Sequence, residues 1–113
     1  MTRHLVAGAL LLAGWARAAP APDQTVAVVI SRDGIQPREI AVRKGETVRL
    51  TLKSGDGEHC FAVDDLRIEK RVLPGRTTTV DVTPDKAGTY PFYCCLETGA
   101  VAEKQRGRLI VTE

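Results

Sequence analysis

From Thr47 to Lys53 the chain reads T-V-R-L-T-L-K, with polar and apolar residues in strict alternation. A period of two suits a β-strand, whose successive side chains point to opposite faces, and excludes an amphipathic helix. Val48, Leu50 and Leu52 therefore share a core-facing row, while Thr47, Arg49, Thr51 and Lys53 face the other way. Strand-like segments of similar length recur in "TVAVVI", "EIAV", "HCFAVDD", "TTTVDV", "YPFYC" and "GRLIV". Between them lie "RKGE", "SGDGE", "LPGR" and "PDKAG", in which Gly supplies positive φ and Pro fixes φ for a turn. Only "TGAVAEKQ" has the composition for a turn or two of helix. Short strands at this spacing predict an all-β fold, a Greek-key β-sandwich of about seven or eight strands.

The first 18 residues stand outside that pattern. They carry a basic start (Arg3), an apolar stretch from Leu5 to Ala13, and small residues at Ala16 and Ala18. This is the layout of a secretory signal, and the apolar stretch is too short to span the roughly 30 Å of a bilayer core. Residues 1–18 are expected to be a cleaved signal peptide and residues 19–113 one domain, so that the membrane is met only during export and the mature protein is periplasmic or secreted. Of 16 basic residues, Arg3 and Arg17 leave with the signal, and the remaining 14 balance 14 acidic ones. With no basic block to neutralise phosphates, nucleic acid is excluded as a partner.

A single small domain has a modest core and gains from a disulfide or a metal. Three cysteines, Cys60, Cys94 and Cys95, leave at least one thiol outside any internal disulfide. Parity sorts them. In "HCFAV", His59 shares a face with Phe61 and Val63, which sends Cys60 and Ala62 to the opposite face. In "YPFYC", Cys94 groups with Phe92 and Tyr90, and Cys95 points away. One imidazole and one thiol at the ends of core-facing rows are the beginning of a soft metal site. A structural histidine and a small buried hydrophobe account for the same pattern, so both readings stand at this point.

The run from "GIQPREIAVRKGETVRLTLKSGDGEHC" through "LPGR" and "TPDKAGTYPFYC" to "QRGRLIV" resembles the cupredoxins, in particular small exported cupredoxin-like domains, and covers nearly all of the mature chain. The resemblance implies one copper ion bound by His59 and Cys94. It places Gln105 where the family usually has an axial Met, a position at which Gln is also an accepted ligand. The family's second His would fall between Gly99 and Ala102, where this sequence has none. Glu97, three residues after Cys94, is the leading substitute, with a solvated loop carboxylate as the plain alternative. Glu103 is a weaker candidate, and a water or a partner's side chain could take the open position.

In cupredoxins the residues following the first His and the ligand Cys are neighbours joined by a side-chain hydrogen bond. Here both are cysteines, so the resemblance implies a Cys60–Cys95 disulfide with Cys94 left as the odd thiol. A vicinal Cys94–Cys95 bridge is the strained alternative, because the Cα atoms of bridged cysteines prefer more than the about 3.8 Å across one trans peptide.

The expected function is electron transfer or copper carriage with a redox or copper donor or acceptor protein as partner, by a monomer that is not an enzyme. The alternative is a metal-free sandwich of the same fold serving as a binding or accessory module. A thiol-disulfide enzyme lacks support because no C-x-x-C is present, and a hydrolase because only His59 survives cleavage and no motif places a Ser or Asp beside it.

Overall fold

The computed structural model describes residues 21–113, so the expected signal peptide lies outside the described residues. Nine strands form: β1 (Gln24–Ser31), β2 (Gly34–Gln36), β3 (Glu39–Arg43), β4 (Val48–Ser54), β5 (His59–Val63), β6 (Ile68–Val72), β7 (Thr78–Val82), β8 (Gly88–Cys94) and β9 (Arg106–Thr112). A 3-10 turn covers Asp64–Leu66, and one short helix, α1, covers Gly99–Lys104 within the "TGAVAEKQ" segment.

The strands make two sheets, ordered β2-β1-β4-β7 and β3-β9-β8-β5-β6. Most neighbours are antiparallel, but β1 runs parallel to β4 and β3 parallel to β9, because the chain crosses between sheets after β2. The inner faces meet in one core. Val28, Ile30, Leu50 and Leu52 come from the first sheet, and Val42, Phe61, Phe92 and Leu109 from the second. Val48, Leu50 and Leu52 are buried in β4 while Lys53 is exposed, as the alternation requires.

Two strands exceed the sequence-based count. β2 has only three residues, too few to show a period. β6 reads I-E-K-R-V with three exposed charged residues in succession, because it is an edge strand, and charge on an edge discourages pairing with other chains.

The turn into β9 depends on a close approach. A Cβ at Gly107 would overlap the ring of Phe92, its register partner on β8, and would come within 2.5 Å of the Arg38 carbonyl oxygen. Only a residue without a side chain lets Phe92 lie against that strand, and Phe92 sits two residues before Cys94.

Candidate metal centre

β5 and β8 are antiparallel neighbours, registered Phe61 to Cys94 and Ala62 to Tyr93. His59 opens β5 and Cys94 closes β8, so both stand at the same end of the sheet on its inner face. His59 is 1% exposed and Cys94 2%. The Cys94 sulfur lies 3.9 Å from His59 Nδ1. The parity argument therefore places this pair correctly.

The loop after β8 brings Glu97 into the same space. Glu97 Oε1 is 2.7 Å from His59 Nδ1, and its other oxygen pairs with Arg32 at 3.4 Å. Gln105, fully buried just before β9, donates from Nε2 to Glu97 Oε1 at 3.0 Å and to the Ser31 carbonyl at 2.8 Å. Its backbone carbonyl accepts from the Cys94 amide at 3.1 Å, tying the two residues together through the main chain. Gln105 Oε1 is, among the described residues, the one buried side-chain oxygen or nitrogen without a hydrogen-bond partner. The structure thus gathers four residues singled out in the sequence: His59, Cys94, Glu97 and Gln105. Glu103 does not join them, because it is exposed on α1 and pairs with Arg106 at 3.1 Å.

Asp56 is the contributor that sequence reading missed. In the Gly/Asp-rich loop before β5 its carboxylate accepts from the Arg32 amide at 2.9 Å and the Gly57 amide at 2.7 Å, and it meets His59 Nε2. The Arg32 amide first, and the His59 ring second, hold its carboxyl well below the usual range, at about 2. An ionised Asp56 accepts a hydrogen bond from Nε2–H, which keeps the ring proton on Nε2 and leaves the Nδ1 lone pair facing Cys94, as second-sphere carboxylates do for metal-binding histidines. The signal was the Asp three residues before His59. Its partner Arg32 lies 24 residues from it in sequence, beyond the reach of any local pattern.

This tautomer makes the contact at Glu97 informative. Nδ1 and Glu97 Oε1, 2.7 Å apart, are then joined either by a second proton on the imidazole, which donates to the carboxylate, or by a metal ion that both atoms ligate. The ligand atoms of His59, Cys94 and Glu97 all lie within 4.8 Å of one another. A thiol, an imidazole and a spare amide oxygen, all buried, together with a partly buried carboxylate form a donor set that fits a thiophilic metal such as copper or zinc.

Of the positions where a second His was expected, Ala102 lines a cavity of about 490 Å³ that also touches Cys94, Cys95, Glu97 and Gly107, whereas Ala100 is exposed on α1. On the opposite face of the same two strands, Cys60 and Cys95 form a disulfide with Cα atoms 5.0 Å apart, and Cys94 remains a free, buried thiol. The bridge lies beside the Cys95 amide bond to the Cys60 carbonyl, at 3.0 Å.

Cytochrome c oxidase subunit 2 of Thermus thermophilus is 33% identical over 93 residues, which span 81% of this chain and 69% of that protein. A second subunit 2 of the same species has the same identity, and there the matched stretch spans 55% of the relative's length. Among solved structures, the periplasmic domain of cytochrome oxidase subunit II of Bradyrhizobium japonicum superposes with a TM-score of 0.72 at 18% identity, covering 83% of this chain and 87% of that one. Auracyanin B superposes at 0.67 and 18% identity, covering 85% of this chain and 94% of its own. At that identity the two superpositions speak for the fold. The family model described as the cupredoxin-like domain matches residues 4–111, and the chain belongs to that family.

Proposed function

We propose that this protein is an exported copper-binding domain. It holds one copper ion with Cys94 Sγ, His59 Nδ1, a Glu97 oxygen and Gln105 Oε1, and it serves electron transfer or copper carriage rather than catalysis. The observation that carries this reading is the convergence of the His59, Cys94 and Glu97 ligand atoms within 4.8 Å of one another, beside a buried Gln105 Oε1 that has no hydrogen-bond partner. The similarity to an oxidase subunit with a periplasmic domain supports the exported, redox-linked setting. Among the described residues no helix is long and apolar enough to cross a membrane.

When bound, copper supplies a one-electron couple or is itself the cargo passed to a partner protein. The chain's own residues do the rest. Asp56 fixes the imidazole so that Nδ1 is the donor. Arg32 and Gln105 hold Glu97 in reach, so this loop carboxylate does the work that a second imidazole would do. A carboxylate is a harder donor than imidazole, which favours Cu(II) relative to Cu(I) and lowers the reduction potential. Burial of His59, Cys94 and Gln105 keeps bulk water from the thiolate.

Titration of the mature protein with Cu(I) under nitrogen and with Cu(II) in air is expected to show one ion bound, with thiolate-to-copper absorption in the Cu(II) form. His59→Ala and Cys94→Ser each abolish that absorption. If both variants bind as the parent does, the ligand assignment is wrong. If the parent binds no copper, the metal-free sandwich is the correct reading, in which the Cys60–Cys95 bridge and the His59–Glu97–Gln105 contacts hold the strand ends together unaided.

A further inference from the structure

The same two strands carry a second set of donors back to back with the first. Cys60 and Cys95 occupy the outer face of the sheet where His59 and Cys94 occupy the inner. Glu69 joins them from the edge strand β6. Cys60 is registered opposite Arg71, which makes Glu69, two residues away on the same face, its diagonal neighbour. Glu69 Oε1 lies 3.9 Å from the Cys60 sulfur, and the ligand atoms of Cys60, Cys95 and Glu69 are all within 4.8 Å of one another.

Glu69 has no evident structural duty. Arg71, two residues on along β6, is bound to Glu58 at 2.7 Å. Among the described residues Glu69 takes part in no ion pair, and its side-chain carboxylate lies beside the Cys60 sulfur. In the oxidised protein the two sulfurs are bonded to each other and neither can act as a thiolate donor.

We propose that reduction of the Cys60–Cys95 disulfide opens a second metal site, made of the two thiolates and the Glu69 carboxylate, that takes a thiophilic ion of the Zn(II) or Cu(I) class. A dithiol reductant supplies two electrons and two protons. The S–S bond breaks, Cys60 and Cys95 become thiols, and the reductant closes its own disulfide. Ion binding then releases the two thiol protons, since the thiolate is the ligand form. Two sulfur donors select soft or borderline ions over Mg(II) or Ca(II), and three protein ligands leave one position open for water or for exchange with a partner. Cys95 is reachable for the first step, because it is half-buried and lines the cavity of about 490 Å³ beside β8, while Cys60 is 3% exposed and serves as the leaving sulfur.

This site is independent of the copper reading, because it shares no ligand with it. The test is therefore made on Cys94→Ser, which lacks the inner thiolate, with Co(II) as the probe. The protein is reduced with a dithiol, desalted under nitrogen and titrated. Oxidised C94S is expected to show no thiolate-to-cobalt charge-transfer band. Reduced C94S shows one Co(II) with that band, displaced by Zn(II), and Glu69→Gln in this background weakens binding by about tenfold or more. Absence of the band in reduced, folded C94S overturns the proposal, as does equal affinity in Glu69→Gln. Far-ultraviolet circular dichroism reports folding on the same sample. If reduced C94S has unfolded, the parent protein decides: a gain of one bound ion on reduction, lost in Cys95→Ser, supports the site, and no gain overturns it.

Discussion

Breaking the Cys60–Cys95 bridge in metal-free protein tests how the sandwich is held together at the site. The crosslinked residues are 35 apart in sequence, and in the chain-entropy description a loop of that size is worth about 4 kcal/mol at 25 °C, through the freedom it denies the unfolded chain. In a domain of under 100 residues each kcal/mol moves Tm by roughly 4–8 °C, so complete reduction is expected to lower Tm by about 15–30 °C. The structure adds a location. β5 and β8 share only two registered pairs, Phe61 with Cys94 and Ala62 with Tyr93, whereas the β8–β9 ladder runs from Gly88 to Tyr93 on the β8 side. The disulfide fastens the weak joint through which β5 and β6 attach to the rest of their sheet. Urea unfolding of the oxidised and phosphine-reduced protein, both with chelator, gives the free energy, and hydrogen exchange followed by mass spectrometry gives the place. The β5–β6 amides are expected to lose protection first on reduction, with β1 and β4 the last to do so. Coincident urea midpoints, or loss of protection that begins in the β1–β4 pair, would refute the reasoning.

Asp56→Ala is expected to weaken copper binding by about 10–100-fold while leaving the fold intact, because the imidazole loses the carboxylate that sets its tautomer, and Asp56→Asn to recover part of that loss; competition titration against a copper chelator measures both. Gly107→Ala is expected to cost about 1–3 kcal/mol by overpacking against Phe92, and Phe92→Leu in the same chain to return part of it, a coupling that a double-mutant cycle by urea unfolding reads directly. Ala102→His, beside Cys94 and Glu97, is expected to shift the Cu(II) spectrum towards that of a site with two imidazoles, whereas Ala100→His, exposed on α1, leaves it unchanged; identical spectra for the two would show that α1 does not present Ala102 to the metal.

Much of the framework is local and therefore legible in the sequence. Alternation in β4 needs only the backbone period of a strand, and it assigns Val48, Leu50 and Leu52 to the core without reference to any other segment. The same period separates His59 from Cys60 and Cys94 from Cys95. Each inner residue becomes a candidate ligand and the outer pair is left to bridge, as the resemblance to cupredoxins implied. Parity is less informative for exposure in β5, where all five residues are buried, because the strand is flanked on both sides and its outer row carries the disulfide. Tertiary structure decided what surrounds the ligands. Glu97 was one of several substitutes for a missing imidazole until the fold brought Arg32, 65 residues away, and Gln105 to hold it against His59. Asp56 looked like turn composition until the Arg32 amide reached it from the loop after β1. Glu69 was an unremarkable charge on an edge strand until β6 paired with β5 and set it beside Cys60. A strand's period is a property of consecutive residues, but a site's second sphere is assembled by loop closure between segments distant in sequence, and only the packed sheets specify which of those segments meet.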